Sequence, residues 1–290
     1  MLEMLLNPKM AERKPWTMFF VGLFYGLISV LLVNVFFSNN PVFSKYSSLL
    51  VIMFTVMLSL PFVYFTIRLE KEKGYREEGF FFKSHGRALM SLIWLFIGFV
   101  VAFSLMYILF PGVVGNSFDA QIEQYCLINA PTQTQECVSK YVGMAQNGIT
   151  GSAMSGFSAS KDYAMDILVN NIYVLIFCLL FSLLFGAGAI FILAWNASVI
   201  ATAIWIFSKS SIENFPIAFS RYMIHGIPEI AAYFTAALAG GIISIALIRH
   251  DFNDKRFWDT IRDSLNLIVL AVLLIIFSAG FEAFITPRIF

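Results

Sequence analysis

The residues best suited to chemistry are His225 and Glu229, which lie four positions apart in the run His-Gly-Ile-Pro-Glu. A proline favours the first turn of a helix and a glycine lets the backbone bend, so Pro228 and Gly226 predict a helix that begins around Ile227 or Pro228. Glu229 would then lie in the first turn, where a carboxylate interacts well with the helix dipole. If the helix continues through Gly226 instead, the two side chains stack on one face. In both arrangements the imidazole and the carboxylate can reach each other.

Three roles for this pair stay open. They are a structural hydrogen bond that holds a helix to its neighbours, a binding site for an ion, a proton or a polar solute, and a catalytic or metal centre. A catalytic zinc needs three protein ligands, and the other two histidines, His85 and His250, lie outside the apolar runs. The sequence also lacks the HExxH and GxSxG motifs. We therefore expect no metal and no cofactor, and we favour a protein that is not an enzyme.

Amide side chains occur in other apolar runs, at Asn170, Asn171 and Asn196. An amide in lipid needs a partner, and such a bond contributes about 0.6–2 kcal/mol. We expect these amides to join the His-Glu pair in one buried polar cluster, either as bonds between helices or as part of a binding site. Glu282, near the end of a later apolar run, is expected to extend towards the membrane interface.

Composition defines the elements that position these residues. The chain has 290 residues, of which 59% are hydrophobic and 13% charged, whereas a soluble domain is about 45–50% apolar and about 25% charged. One soluble core cannot hide so much apolar surface, which excludes a soluble enzyme, a disordered chain and a disulfide-dense secreted fold. The net charge of +1 argues against nucleic acid as a partner. The composition therefore predicts a polytopic membrane protein surrounded by a lipid bilayer.

Continuous apolar runs predict seven membrane-spanning helices. Each run is about 18–24 residues long, the length at which an α-helix crosses the hydrocarbon, whereas barrel strands would alternate apolar and polar residues. The predicted fold class is thus an all-α, polytopic transmembrane helical bundle. The runs cover residues 17–37, 47–67, 88–110, 167–185, 189–207, 227–248 and 265–284.

The fourth and fifth runs leave an alternative open. Only Gly186, Ala187 and Gly188 separate them. Residues 167–207 therefore form either two full spans joined by a tight turn or a re-entrant hairpin, which is allowed at membrane depth where it is buried in protein. We favour two spans.

The distribution of Lys and Arg predicts the orientation. Most of the 19 Lys and Arg residues lie before the first run or in the segments 68–87 and 249–262. Cytoplasmic loops carry an excess of these residues. We therefore expect a multi-pass protein of the cell membrane with a cytoplasmic N-terminus and an extracytoplasmic C-terminus, which seven crossings satisfy.

The long segment between the third and fourth runs, residues 111–166, lies outside the cytoplasm in this orientation. It contains Cys126 and Cys137. Two cysteines on an oxidising side that close a short polar loop suggest a disulfide. Two free thiols are the alternative, and a metal site is disfavoured because this loop lacks histidine.

Small residues predict how the spans pack. Ala232, Ala236 and Gly240 recur every four residues in the sixth run, and the fifth run carries a similar alanine row. Such rows let helix backbones approach closely. We expect the fourth to sixth spans to form the packed core and the first three, which are rich in Phe, to face lipid.

Three pieces of sequence occur in an order that is typical of one family. They are Asn170-Asn171 at the start of a span, Phe185-Gly186-Ala187-Gly188 followed by Ala194-Trp195-Asn196, and His225-Gly226-Ile227-Pro228-Glu229 leading into Ala239-Gly240-Gly241. This pattern resembles the stage II sporulation protein M family of integral membrane proteins. The resemblance is strongest over residues 170–241, and we expect it to lie within 88–284, with the first two spans outside it. It departs from the family at Ala197, where a glycine is typical.

The resemblance implies a multi-pass helical domain and no known catalyst. In spore-forming bacteria the family member is associated with membrane-bound peptidoglycan-degrading machinery, where it looks like an anchor or scaffold for partner hydrolases. The family also occurs widely outside sporulating organisms, so a sporulation role is not transferred. The chain then divides into a two-span N-terminal segment, residues 1–87, and a family-like membrane domain, residues 88–290, with an extracellular loop inserted at 111–166.

We predict a multi-pass membrane scaffold or anchor that recruits envelope-remodelling partners. The partner is a membrane or envelope protein, or a second copy of the chain. The alternative is a transporter or channel with a polar site at the start of the sixth span. The predicted site residues are Asn170, Asn171, Asn196, His225, Gly226, Pro228 and Glu229, with Cys126 and Cys137 as the disulfide.

Overall fold

The structure is a computed structural model that describes residues 13–74, 86–110, 117–147, 161–185, 188–208, 211–248 and 255–289. Within these ranges the chain is helical and has no strand, which confirms the all-α fold class. The helices are α1 Thr17–Phe37, α2 Ser47–Gly74, α3 Gly86–Leu109, α4 Asp119–Asn129, α5 Thr134–Asn147, α6 Lys161–Phe185, α7 Ala189–Phe207, α8 Phe215–Ile248 and α9 Lys255–Gly280. Helix α9 continues through a π-helical turn, Phe281–Ile285, and a last α-turn, Thr286–Ile289.

Seven of the described helices are long and apolar enough to cross a membrane, as predicted: α1, α2, α3, α6, α7, α8 and α9. Helix α6 has 25 residues and α7 has 19. At about 1.5 Å per residue both approach or exceed the hydrocarbon thickness of about 30 Å. These lengths favour two full spans over a re-entrant hairpin. The intervening Gly186 and Ala187 lie outside the described residues, as do residues 75–85 and 249–254.

Helix α8 begins at Phe215, so the prediction of a helix start at residue 227 or 228 is wrong. Pro228 lies inside the helix, where it cannot donate a hydrogen bond to the Ile224 carbonyl. Such positions are tolerated in membrane helices when neighbouring side chains bond the affected backbone. Here the Ser278 hydroxyl of α9 donates to the adjacent carbonyl, that of His225, at 2.7 Å and holds this part of α8 against α9. Packing against α9 therefore overrides the local helix-start signal.

The helices pack around α7 and α8. Helix α1 lies along α3, α3 contacts α7, α7 contacts α8, and α8 is flanked by α6 and α9. The α1–α3 contact is close because glycines face backbone: a Cβ on Gly22 would overlap the Leu95 carbonyl, and one on Gly98 would overlap the Phe19 carbonyl. One hydrophobic core includes residues from α1 to α9. The division of the chain at residue 88 stays a prediction.

The expected separation into core and lipid-facing spans is wrong for two helices. Helix α8 is 83% buried within its span, as expected, but α3 is 67% buried and α6 only 22%. Helix α3 is enclosed because its glycine contact admits α1 on one side while α7 covers another. Helix α6 touches α8 along a narrow strip, where a Cβ on Gly240 would lie 2.5 Å from the Leu179 carbonyl oxygen.

Helices α4 and α5 form a cap, residues 119–147, at the end of the bundle where α3 and α7 finish; we call this the cap end. Cys126 and Cys137 are joined by a disulfide, which confirms that prediction. Aromatic rings hold the cap to the bundle, since the Trp205 ring of α7 lies 4.8 Å from Tyr107 of α3 and 6.5 Å from Tyr141 of α5. The disulfide therefore links the two cap helices to each other, and ring packing attaches the cap to the spans.

Candidate functional site

His225 of α8 is buried, 7% exposed, and its ring faces the end of α9. Nδ1 lies 3.2 Å from Oγ1 of Thr286, and Nε2 lies 4.0 Å from Oε1 of Glu282. Thr286 Oγ1 lies 3.2 Å from both the Phe281 carbonyl oxygen and His225 Nδ1. Its one proton can serve either acceptor, and the tautomer of the imidazole decides which.

Glu282 and Thr286 both face His225 because α9 widens into the π-helical turn at Phe281–Ile285. Pro287 follows that turn and cannot donate a hydrogen bond to the Ala283 carbonyl, which removes one α-helical bond from the segment. Single π-helical turns are rare and occur frequently at functional sites. The Glu282 side chain is 26% exposed, so this part of the site reaches the surface of the chain.

Glu229 lies one turn beyond His225 on α8. The hydroxyl of Tyr233, one turn further, donates to Glu229 Oε1 at 2.7 Å. Glu282 of α9 lies 4.0 Å from the ring of His225. Helices α8 and α9 thus bring together an imidazole, two carboxyls and two hydroxyls. We name these residues the polar cluster: His225, Glu229, Tyr233, Glu282 and Thr286.

Helix α6 runs beside α8. The Ser182 hydroxyl donates to the Ala237 carbonyl at 2.6 Å, an offset of 55 residues, whereas a Cβ on Gly240 would meet the Leu179 carbonyl, an offset of 61. Asn171 lies on the same helix, about two turns before Leu179.

Asn171 of α6 is 4% exposed. Its Oδ1 accepts a weak hydrogen bond from Asn170 at 3.4 Å. Its Nδ2 is buried and has no hydrogen-bond partner among the described residues. Such an amide is unusual, because buried polar groups are almost always paired.

The remaining predicted site residues have local roles in the structure. The Asn196 side chain donates to the Ile192 carbonyl of its own helix at 2.8 Å. Gly226 is buried, and the nearest atom to a Cβ at that position would be the Met223 methyl carbon, 3.5 Å away. The structure thus places His225 and Glu229 one turn apart on α8, and the participation of Asn171 and Asn196 in a binding site stays a prediction.

Sequence reasoning missed the contribution of α9. Glu282 was expected to extend to the interface, and Thr286 was not singled out, although it lies 61 residues from its partner His225. One signal could have found them, namely an acidic residue followed by Thr-Pro inside an otherwise apolar run. Within the described part of the chain, no group of three or more His, Cys, Asp or Glu side chains is placed to hold a metal ion.

A second polar feature lies beside the cap. A groove of about 570 Å³ separates α4 and α5 from the connection between α1 and α2, where Lys45 lines it. Asp119 and Glu123, one turn apart on α4, line the opposite wall. Asp119 Oδ1 has no hydrogen-bond partner among the described residues, and burial raises the pKa of this carboxyl. The backbone N–H of Ala120 donates to Ser48 at 3.3 Å and keeps α4 against α2.

The family model described as Stage II sporulation protein M matches residues 17–287, which include all seven candidate spans. The chain belongs to the stage II sporulation protein M family. The match confirms the resemblance seen in the motifs, and it also includes α1 and α2, which the motifs had left outside. This member of the stage II sporulation protein M family therefore carries the family pattern over nearly its whole length.

A relative of this family member is an uncharacterized protein of Methanocaldococcus jannaschii. The two are 32% identical over 129 residues, which cover 43% of this chain and 71% of the relative. No solved structure matches the chain. The shared sequence establishes that the two proteins are related.

Proposed function

We propose that this stage II sporulation protein M family protein is a membrane scaffold that presents its cap to an envelope partner. The observation that carries the proposal is the way in which the cap is attached to the bundle. The disulfide joins α4 to α5. The Trp205 ring of α7 stacks on Tyr107 of α3 and makes an edge contact with Tyr141 of α5. Aromatic pairs of this kind contribute about 0.5–1.5 kcal/mol each beyond the area they bury, so the cap is held in one position.

The cap groove offers a charge pattern that a partner can recognise. Asp119 and Glu123 present two carboxyls on one wall, and the Glu123 side chain is exposed. A Lys or Arg side chain of a partner would pair with Glu123 through a charge-assisted hydrogen bond. Lys45 on the other wall would pair with an acidic residue beside that cation. The proposed partner is therefore an envelope or membrane protein with a mixed-charge segment.

Two features support a position of the cap outside the cytoplasm. A disulfide persists in oxidising compartments and is rare in the cytosol. The concentration of Lys and Arg near the opposite end of the spans supports the same orientation.

Site-specific crosslinking tests the scaffold. A photo-crosslinking amino acid at Ser139, which lines the groove, is expected to give one discrete adduct in intact cells. The matched probe at Asp259, exposed on α9 at the far end, should not give that adduct. Glu123→Lys should abolish the adduct, whereas Glu136→Lys, an exposed carboxyl of the cap, should keep it. Repeated recovery of the chain without an adduct would contradict the proposal. So would an adduct whose yield is the same in Glu123→Lys, Glu136→Lys and the wild type. An adduct of twice the chain's mass would identify a second copy as the partner.

Transport is a second candidate function, favoured by the polar cluster and its π-helical turn. Transporter sites use broken or irregular helices at membrane depth. Flux of protons and monovalent ions in proteoliposomes should then be measurable and should fall in Glu229→Gln. Flux equal to that of empty vesicles would remove this candidate and leave the scaffold untouched.

A further inference from the structure

The cap groove opens where helix α2 begins to cross the membrane. Its lining includes residues from the first turns of the candidate span Ser44–Leu69, namely Lys45, Tyr46, Ser48 and Leu49. The Ala120 N–H of α4 donates to Ser48 at 3.3 Å, so the α4 wall of the groove lies at the same level. A segment that fills the groove therefore lies at the surface of the bilayer, within a turn or two of the hydrocarbon.

An exposed apolar stripe continues from the groove along α2. Its members recur every three or four positions and are 41–63% exposed: Tyr46, Leu49, Met53, Met57, Leu60 and Tyr64. We call these residues the α2 stripe. Tyr46 and Leu49 line the groove as well, so the two surfaces are continuous. From Leu49 to Tyr64 the stripe extends about 22 Å at about 1.5 Å per residue, which is most of the hydrocarbon thickness of about 30 Å.

The stripe is the side of α2 that faces away from the bundle. The opposite side is buried at Val51, Ile52, Thr55, Ser59 and Phe62. Helices α6 and α9 also have widely exposed faces, since only 22% and 28% of their spans are buried. The described lining of the groove includes no residue of either helix. Of these three helices, α2 is therefore the one whose exposed face leads into the groove.

A partner with a transmembrane helix next to a charged segment fits both surfaces. In lipid, helices associate mainly through van der Waals packing, and the flexible side chains of Met53 and Met57 adapt to a neighbouring helix. The exposed charges of Glu123 and Lys45 then select the segment in the groove. Because the segment and the helix are linked, the second contact forms at a high effective concentration. A soluble partner would use the groove alone.

A second copy of this chain fits the stripe less well. The copies of one chain share a single orientation in the bilayer, so a two-fold dimer would pair two parallel α2 helices. The two Lys45 ammonium groups would then lie at the same level on either side of the axis, where like charges repel.

We propose that the partner of the cap is a different protein with a membrane-spanning helix, which packs on the α2 stripe while its mixed-charge juxtamembrane segment fills the groove. This inference rests on the proposed scaffold function and specifies the class of its partner. The charged segment directly adjoins the apolar helix in the partner's sequence, because Leu49 belongs to both surfaces.

Crosslinking from two depths tests the partner class. A photo-crosslinking amino acid is placed in intact cells either at Met57, 63% exposed on α2, or at Ser139 in the groove. We expect both probes to capture the same protein. Mass spectrometry should locate the Met57 crosslink in an apolar segment of about 20 residues, and the Ser139 crosslink in the charged segment beside it. The matched probe at Leu273, 58% exposed on α9, should not capture that protein.

The outcomes separate this inference from the scaffold function. An adduct at Ser139 without a protein adduct at Met57 overturns the inference and leaves the scaffold in place with a soluble partner. Absence of the Ser139 adduct contradicts the scaffold itself, and the inference with it. A Met57 crosslink to a peptide of this chain identifies a second copy on the stripe and overturns the inference. So does a Met57 adduct that persists in Glu123→Lys while the Ser139 adduct is lost.

Variants of the stripe provide a second measurement. Met53→Ala combined with Met57→Ala should lower the yield of the Ser139 adduct several-fold, because the stripe loses side chains that contact the partner helix. Both side chains are exposed, so the melting temperature in detergent should equal that of the wild type. Leu273→Ala is the matched control and should change neither quantity. An unchanged Ser139 adduct in the double variant would overturn the inference.

Discussion

Single residues show how strongly the polar cluster depends on its donors. Tyr233 donates to Glu229 at 2.7 Å, and the Tyr233 ring is fully buried. We expect Tyr233→Phe to lower the free energy of unfolding by about 1–3 kcal/mol, because the carboxyl keeps its burial and loses its donor. Thermal unfolding in detergent measures the effect. Tyr173→Phe, whose side chain is 61% exposed on α6, is the matched control and should melt with the wild type.

Asp119 makes the stability of the cap dependent on pH. Burial raises the pKa of this carboxyl above its ordinary value of 3.8. The folded state therefore holds the proton more tightly than the unfolded state, and stability falls as the pH rises from that ordinary value through the raised one. In Asp119→Asn this loss should disappear, so the variant should gain on the wild type as the pH rises from about 4 to 7. Parallel melting curves of the two proteins across that range would exclude the effect.

The contacts of individual side chains were only partly foreseeable. His225 and Glu229 stood out because ionisable residues are rare in apolar runs. Their partners could not be read in the same way, since Ser278 and Thr286 are common in membrane helices and meet His225 across 53 and 61 residues. Only the assembled α8–α9 pair shows that His225 is bonded to the neighbouring helix.

At the scale of helices, two backbones approach each other closely where α6 meets α8. A Cβ on Gly240 would lie 2.5 Å from the Leu179 carbonyl oxygen. Gly240→Ala should therefore destabilise the protein by about 1–3 kcal/mol, because one of the two backbones must move. Gly280→Ala, in α9 with open space around its Cα, should be neutral or stabilising by up to about 1 kcal/mol. Equal melting temperatures for the two variants would contradict the close approach of α6.

The disulfide should stabilise the cap as a covalent link and not as two separate side chains. Cys126→Ser and Cys137→Ser are each expected to cost about 2–3 kcal/mol, the value for closing a short loop. The double variant should cost no more than either single one, and reduced wild type should melt with them. Additive losses in the double variant would show that the two side chains stabilise the cap through packing alone.

Helix boundaries followed the sequence wherever hydrophobicity decided them. The runs at residues 17–37 and 189–207 match α1 and α7 in full. The start of α8 did not, because Pro228 has the same local meaning at a helix start and within a helix, and only contact with α9 separates the two cases. The lengths of the cap helices α4 and α5 could not be predicted from an apolar run, since neither helix contains one.

For the whole molecule, the orientation in the membrane is open to direct measurement. Cys178, the free cysteine of the described chain, is buried, so an added thiol can be labelled selectively. A membrane-impermeant maleimide should label Asn39→Cys, at the cap end, in intact cells. It should label Asp259→Cys, at the opposite end, only after the cells are opened. The reverse pattern would invert the orientation and place the cap in the cytoplasm.

The order of packing could not be predicted from the sequence. Seven apolar helices follow from composition, and small residues indicate that some of them approach closely. Which helices become central depends on contacts between residues that are distant in the chain. The contact of Gly22 with Gly98 brings α1 against α3, which is 67% buried within its span, whereas α6 is 22% buried. The family match likewise extends to residues 17–287 because the pattern of all the spans contributes to it, beyond the short motifs.

The widened turn at Phe281–Ile285 gives α9 one residue more than a regular turn requires. Were that surplus passed to the adjacent turn, Glu282 would swing by about 100° and shift by about 1.5 Å along the axis, as one helical residue does. His225 would then lose the Glu282 carboxyl from the Nε2 side of its ring, while α8 stayed where it is. The contact between the imidazole and this carboxyl therefore depends on the surplus residue staying within Phe281–Ile285.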